Sequence, residues 1–321
     1  MDYDDKLTKE METLAMREGA DLFGVAPIER FEHAPEGYRP DEYLPDATCV
    51  ISIALHLANG VCDVWGEPEE RGKSISPYLF YGYGLPNLEL GRIANLAAKQ
   101  LEYKGFKSLI FPPTWGISLY RWYGRQDGDL KGDFSHRHAA VAAGLGEPGW
   151  SGLILTPSYG PRVRFNSIIT NAPLVPSPMY DGPPLCQPKK CGYQCVRECP
   201  TQALAFYDDH KECDIGGRRF EYVHVDTIRC RYAVFALVKG SGSFGHQEIP
   251  PGPGKMKNLQ EAMANMNPFD KAMRECAFGI ICGDFCGRCL HKCPAPSFEN
   301  ITKTRFNPRN RPHSPHMRYP T

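Results

Sequence analysis

Two short cysteine runs, each closing on Cys-Pro, restrict what this chain can fold into more than any other feature. The first is Cys186, Cys191, Cys195 and Cys199-Pro200; the second is Cys286, Cys289 and Cys293-Pro294. Thiolates bind iron strongly, and a cubane cluster takes four of them at its corners, commonly three from one tight run and one from elsewhere. In two-cluster modules the cysteine before proline reaches across to the other cluster. The second run, Cys-x2-Cys-x3-Cys-Pro, has that spacing, and the first matches it at Cys195-x3-Cys199-Pro200. Upstream the first run is wider, with three residues between Cys191 and Cys195 and four between Cys186 and Cys191. Crossing over assigns Cys186, Cys191, Cys195 and Cys293 to one 4Fe-4S cluster. Cys199, Cys286, Cys289 and one further cysteine go to the other, and spacing alone leaves that eighth place to Cys230 or Cys282. Zinc is the competing metal, because paired CxxC units also build four-cysteine zinc sites. The Cys-Pro endings and the shared spacing before them have no purpose in a zinc ribbon. Cys49, Cys62, Cys213 and Cys276 are left over as buried or incidental thiols.

Composition sets the compartment and the partners. The 321 residues are 42% hydrophobic, enough for one large domain and a small one. Lys+Arg and Asp+Glu both number 37, so no net field favours nucleic acid or an anionic membrane. The N-terminus MDYDDKLTKEM is acidic and has no apolar stretch or twin arginine, which argues against a secretory signal. No run approaches the length of apolar residues that spans a bilayer. The expected location is the cytoplasm, where clustered thiols serve metals better than disulfides. After Glu299 the chain is basic, with Lys303, Arg305, Arg309, Arg311 and Arg318, and reads as a solvated tail.

Hydrophobic periodicity then places the elements. Leu7, Met11, Leu14 and Met16 read as an amphipathic helix behind Asp4-Asp5. Residues 21–27 and 48–57 read as strands, and Leu88, Leu90, Ile93, Leu96, Ala97 and Leu101 as a helix ending at Gly105, followed by a strand over 108–112. A helix over 136–143 stops at Gly144-Leu145-Gly146, and 152–157 and 162–170 read as two strands joined by Ser158-Tyr-Gly-Pro161. Helices alternating with strands imply an α/β layer. Prolines 173, 176, 178, 183 and 184 mark a linker, and the Gly- and Pro-rich stretch Gly240–Gly254 is expected to be a mobile loop or lid. No GxGxxG follows a strand, which excludes a Rossmann site, and no Asp-x-His-x-x-Gly run is present to hold a corrinoid through histidine.

At Val141-Ala-Ala-Gly-Leu-Gly-Glu147, Leu155-Thr-Pro-Ser-Tyr-Gly-Pro-Arg-Val-Arg164, Ile169-Thr-Asn-Ala-Pro-Leu174 and the Cys-Pro run that follows, the chain resembles the cobalamin-dependent reductive dehalogenases. It is similar also to their relatives the epoxyqueuosine reductases. Their Arg-Cys-x-x-Tyr segment between the cysteine runs looks like Arg229-Cys230-Arg231-Tyr232, with one residue fewer before tyrosine. The likeness runs from about Leu7 to Pro294. It implies an α/β (α+β) fold: a nitroreductase-like corrinoid-binding domain over 1–178, a ferredoxin-like domain with two 4Fe-4S clusters over 179–300, and the basic tail 301–321. It also favours Cys230 as the eighth cluster ligand. By position, Gly144, Leu145, Gly146, Thr156, Pro157, Gly160, Pro161 and Arg162 would lie along a base-off cobalamin, glycines letting backbone approach a flat macrocycle.

Such a site needs a proton source and a group that orients substrate. The resemblance to epoxyqueuosine reductase points to an acid shortly before the Ala-Gly-Leu-Gly run. Asp133 is the nearest match, with Asp129, His136 and His138 open beside it. Reductive dehalogenases pair a tyrosine with a basic residue, which suggests Tyr123 or Tyr120 with Arg162 or Arg164. The expected activity is that of an oxidoreductase passing electrons from the clusters to cobalamin for reductive cleavage in a small-molecule substrate, fed by a donor such as ferredoxin or flavodoxin. Neutral overall charge and the short stretch after Cys293 argue against tRNA. The alternatives are an electron-transfer or corrinoid-reducing partner without a substrate pocket, and a reductase holding flavin in place of corrinoid.

Overall fold

The computed structural model describes residues 2–114, 132–204, 210–243, 245–268, 271–272 and 284–295. Helix α1 (Asp5–Arg17) starts where the Asp4 carboxylate accepts the Leu7 amide at 2.8 Å. Leu7, Met11 and Ala15 recur every four residues and bury one stripe of it. Strands β1 (Leu22–Pro27) and β2 (Cys49–His56) follow, then α2 (Leu85–Tyr103), β3 (Ser108–Ile110) and α3 (His136–Ala142). A two-stranded ribbon of β4 (Glu147–Pro148) and β5 (Ile154–Leu155) precedes the long strand β6 (Val163–Thr170).

The central sheet has the order β1-β2-β6-β3, and every pairing in it is antiparallel. The layer is therefore α+β in its strand directions, with helices on both faces. One row crosses all four strands through Val25, Ile51, Ile168 and Ile110. That face packs on α1 and α2 through Leu7, Met11, Leu90, Ile93 and Ala97. The row beside it, Ala26, Val50, Ile169 and Leu109, faces the other way and packs on Ala139–Ala143 of α3. Coverage on both sides explains why β2 and β6 are buried almost continuously rather than in alternation.

Three expectations change. The segments 152–157 and 162–170 do not form a hairpin: β5 pairs with β4, while β6 lies between β2 and β3. The turn survives, with Thr156 and Gly160 exchanging amide bonds at 3.0 and 2.9 Å, but Pro157 and Pro161 cannot donate to a continuing ladder. In α2, Leu88 and Leu96 are 69% and 36% exposed; the buried stripe is Leu90, Ile93, Ala97 and Leu101, and the other two leucines fall outside its arc. A π-helical turn, Tyr78–Gly84, runs directly into this helix, which begins earlier than its apolar spacing suggests. Finally, the Gly- and Pro-rich stretch is anchored. Glu67 accepts the Gly240 and Gly242 amides, Asp226 accepts that of Gly254, and Arg229 donates to the Pro250 and Gly252 carbonyls.

The cysteine-bearing part consists of α4 (Pro188–Cys191), α5 (Gln194–Arg197), the hairpin β7 (His210–Ile215) and β8 (Arg218–Val223), α6 (Thr227–Val234), α7 (Met256–Ala264) and α8 (Arg288–His291). Between α4 and α5, Gly192 and Tyr193 both take left-handed backbone, at φ 66° and 55°. Their tight reversal absorbs the extra residue between Cys191 and Cys195. Ile215, Cys213 and Phe220 of the hairpin pack into the α3 side of the sheet, so the two halves share a core. No helix among the described residues is long and apolar enough to cross a membrane.

Ile168 is fully buried at the centre of the row, and Leu88 is exposed. Ile168→Ala should cost about 2–5 kcal/mol in urea unfolding, and Leu88→Ala no more than about 0.5 kcal/mol. Equal losses would contradict this packing.

Candidate functional site

The cysteine sulfurs fall into two electrostatic groups. Burial, together with the charges of Cys186, Cys293 and Cys191, pushes the Cys195 thiol up to about 12. Cys186 rises to about 11, chiefly by burial, and feels Cys293 and Cys191. In the other group, burial drives Cys286 well above its ordinary range, with Cys289, Cys230 and Cys199 as its charged neighbours. Cys230, on α6, rises to about 12 by burial and feels Cys289 and Cys199. By these neighbours Cys293 of the second run lies near the first run and Cys199 of the first near the second, while Cys289 feels both Cys199 and Cys195. Cys282 lies outside the described residues.

A single zinc ion with Zn–S of about 2.3 Å would draw its sulfurs to about 3.8 Å from one another. Among the described residues no three cysteine sulfurs lie within 4.8 Å; the one group of donors that does is the exposed His210, Glu212 and Glu221. The cysteine sets are too open for one ion. They are also held from outside. The Trp150 amide donates to Cys186 Sγ at 3.1 Å and the Ala203 amide to Cys199 Sγ at 3.3 Å, while Glu147 accepts the Leu185 amide and fixes the entry to the first run. Such amide bonds favour thiolate and tune a metal bound there.

A polar cluster adjoins the second set. On β6, Arg164 lays its guanidinium 3.9 Å from the centre of the Tyr83 ring and donates from Nε to Asn87 Oδ1 at 2.6 Å. Tyr83 Oη lies 2.6 Å from Thr114 Oγ1. Burial, and then the charge of Asp284, raise the Tyr83 phenol. Asp284 is itself raised by burial and lies beside Tyr83, within electrostatic reach of Cys230. Among the described residues the buried Asn87 Nδ2 has no partner. Unused hydrogen-bonding capacity at a buried position marks a place for a ligand.

Arg164 was legible in the sequence, but Tyr83 was not. It lies in the aromatic and glycine run Tyr78-Leu-Phe-Tyr-Gly-Tyr-Gly84, which has no helical periodicity. Gly82 is its one telling residue: a Cβ there would come 2.4 Å from the Tyr78 ring. Tyr120, Tyr123 and Asp129 lie outside the described residues.

Asp133 is half-buried, and its carbonyl accepts the Tyr43 hydroxyl at 2.8 Å. His136 uses both ring nitrogens, Nδ1 with Ser167 Oγ and Nε2 with the Pro112 carbonyl, each at 3.0 Å. The carbonyl can only accept, which fixes the proton on Nε2 and leaves no ring position open. The segment 112–114 thus ties His136 at one end and Tyr83 at the other.

Of the positions expected along a corrinoid, Gly144 and Gly146 have another physical reason to be glycine. A Cβ on either would come 2.0 Å from a backbone oxygen, of Pro178 and Leu155 respectively. Gly144 also needs its left-handed φ of 79°. Leu145 packs into the core on the α3 side. Thr156, Gly160 and Pro161 are buried and Pro157 is exposed. Arg162 is held by Asn59 Oδ1 at 3.0 Å and Asp63 Oδ1 at 2.7 Å.

The tetrachloroethene reductive dehalogenase of Desulfitobacterium hafniense is 32% identical to this chain over 247 residues, covering 66% of this chain and 42% of the relative. The epoxyqueuosine reductase of Bacillus subtilis is 28% identical over 179 residues, 49% of this chain and 42% of the relative. In fold the chain is similar to a solved catabolic reductive dehalogenase, NpRdhA, in complex with 3-bromo-4-hydroxybenzoic acid. The TM-score is 0.52 at 18% identity, over 84% of this chain and 35% of that one. This chain is related to the reductive dehalogenases and epoxyqueuosine reductases. Both names are those of oxidoreductases. No family model matches the chain. It spans less than half the length of these two curated relatives. One solved epoxyqueuosine reductase holds an epoxyqueuosine-modified tRNA stem loop. Relatives named epoxyqueuosine reductase do not support the expectation that set tRNA aside on net charge.

Two outcomes follow from this geometry. Cys230→Ala should lower bound iron while Cys282→Ala leaves it intact, as read by anaerobic iron analysis; the reverse would move the eighth ligand to Cys282. Burial lowers His136 and His138 to about 4 from 6.5, so the unfolded chain takes up their protons first. Their stabilisation is complete above about 6.5 and is lost as pH falls toward about 4. The urea midpoint should drop through that window, less steeply in His136→Asn; an unchanged slope would remove His136 from the account.

Proposed function

We propose that this chain is the electron-transferring and catalytic core of an iron-sulfur and corrinoid-dependent reductase. The observation that carries this reading is the arrangement of two four-cysteine sets, the second of which adjoins the Tyr83–Arg164–Asp284 cluster. Cys186, Cys191, Cys195 and Cys293 would hold one 4Fe-4S cluster, and Cys199, Cys230, Cys286 and Cys289 the other. Their openness and partial burial fit a polynuclear cluster. By the resemblance, a corrinoid would lie along Gly144, Leu145, Gly146, Thr156, Pro157, Gly160, Pro161 and Arg162. Asn87 Nδ2, unpartnered among the described residues, is free to donate to a polar ligand beside Arg164. When bound, a corrinoid supplies low-valent cobalt, a strong reductant toward carbon–heteroatom bonds.

The chain's own residues would do the rest. Tyr83, raised by burial, keeps its proton at neutral pH and presents it at Oη. Arg164 stacks on that ring, fixes its direction and orients an electron-rich substrate group through its remaining nitrogens. Thr114 holds the phenol in place through its hydroxyl, and Asp284, raised by burial, lies beside it. Asp133 is the second candidate for proton delivery, by resemblance. The substrate class is a small organic molecule bearing a reducible carbon–heteroatom bond, a carbon–halogen bond being the one suggested by relatives named for tetrachloroethene. Relatives named epoxyqueuosine reductase support a second reading, a modified nucleoside.

Anaerobic metal analysis with cofactor extraction tests the proposal. About eight irons per chain, two four-iron clusters, together with cobalamin are expected. Flavin in place of cobalt would make it a flavin reductase, and iron alone would reduce it to an electron carrier. Tyr83→Phe should keep iron and cobalt yet lose about 10²- to 10⁴-fold in turnover of tetrachloroethene driven by reduced methyl viologen. The same loss in Asp133→Asn, with Tyr83→Phe unaffected, would transfer the role.

A further inference from the structure

The surface over the outer cysteine set carries charge of one sign. Lys189 and Lys190 immediately precede Cys191, Arg197 follows Cys195 by two positions, and Lys292 precedes Cys293. All four are exposed. At 3.8 Å per residue each Cα lies within about 8 Å of a cysteine Cα of that set. Among the described residues none of the four forms an ion pair. The acids close by are engaged elsewhere: Glu198 binds Arg288 at 3.0 Å, Glu147 turns inward to the Leu185 and Cys186 amides, and Glu212 pairs with Arg219 on the hairpin. Asp181, exposed on the linker, stands at the edge. A chain with 37 cations and 37 anions has therefore gathered four unpaired cations around a single feature.

The feature they surround is the electron entry. Electron transfer falls steeply with distance, so a donor must seat over the set that the surface can approach. Lys189, Lys190, Arg197 and Lys292 are all exposed beside the first set, so that set is the one a donor on this surface can approach. Exposed charges of one sign raise encounter rates and orient a partner of opposite sign while adding modestly to affinity, which suits a donor that must leave after each turnover. We propose that Lys189, Lys190, Arg197 and Lys292 form the docking face for a small acidic one-electron carrier protein. The inference rests on the proposed iron-sulfur reading of the cysteines. Each encounter oxidises the carrier by one electron and passes that electron to the outer site; two encounters supply the pair that cleavage of one bond consumes. A nucleic acid would also meet positive charge here, but it has no electron to deliver.

The test uses the full chain purified anaerobically, with iron content and cluster resonance recorded first. A flavodoxin, acidic and carrying one electron at a time, is titrated calorimetrically at rising salt, with basic cytochrome c as the like-charged control. Flavodoxin should bind, its Kd rising about 10-fold from 20 to 200 mM salt, and cytochrome c should not. The pairs Lys189→Glu/Lys190→Glu and Arg197→Glu/Lys292→Glu should each weaken flavodoxin about 10-fold with iron, cluster resonance and reduction by dithionite unchanged. Iron-loaded protein that ignores flavodoxin, or binds it equally in both variants, would overturn the docking face. So would tRNA binding the same residues more tightly. Protein that holds no iron would bring down the cluster reading itself, and this inference with it.

Discussion

Eight thiols gathered into two adjacent, partly buried sets form the constraint on which the rest of this structure depends. Burial disfavours their charged form, and each thiolate formed raises the next, as the upward shifts of Cys195, Cys230 and Cys286 record. A multiply charged metal centre would reverse both effects, converting mutual repulsion into shared attraction and making metal binding part of folding. The surrounding elements are arranged for this. A left-handed pair, Gly192 and Tyr193, bends the first run around its set, and amides of Trp150 and Ala203 point at two of the sulfurs.

The cysteine sets must also be held against the sheet layer, and a compact clamp does so. Arg288, two residues after Cys286, binds Glu67 at 2.8 Å and Glu198 at 3.0 Å and reaches over the Trp65 ring. Trp65 in turn donates to the Phe285 carbonyl and stacks on His291, 4.9 Å away. Largely buried, this ion pair contributes less to stability than its distances suggest, because desolvation offsets much of the attraction. It specifies which surface of the first half meets the second. His291 is lowered to about 3, chiefly by burial. It enters the clamp as a neutral aromatic plate between Trp65 and Tyr78.

Much of the fold was legible because it rests on local periodicity. Leu7 and Met11 mark the buried stripe of α1, and the segments at 49–56 and 163–170 become the two central strands. What failed did so where a pattern has two solutions. Residues 152–157 and 162–170 look like hairpin arms, yet the second is needed in the middle of a sheet covered on both faces. The stretch Gly240–Gly254 has the composition of a free loop, but composition carries no sign of Glu67, some 170 residues away, accepting its amides.

The sequence by itself determined the supply of chemistry: seven cysteines at iron-sulfur spacing and an arginine beside the Gly-Pro turn. It could do so because ligand spacing within one short loop is a local property. Only the tertiary structure decided the polar cluster. It stacked Arg164 on Tyr83 beside Asp284. Those partners come from a π-helical turn, a central strand and a cysteine run far apart in the chain. Their meeting is fixed by how the sheet packs on its helices and on the clamp, which no local pattern encodes.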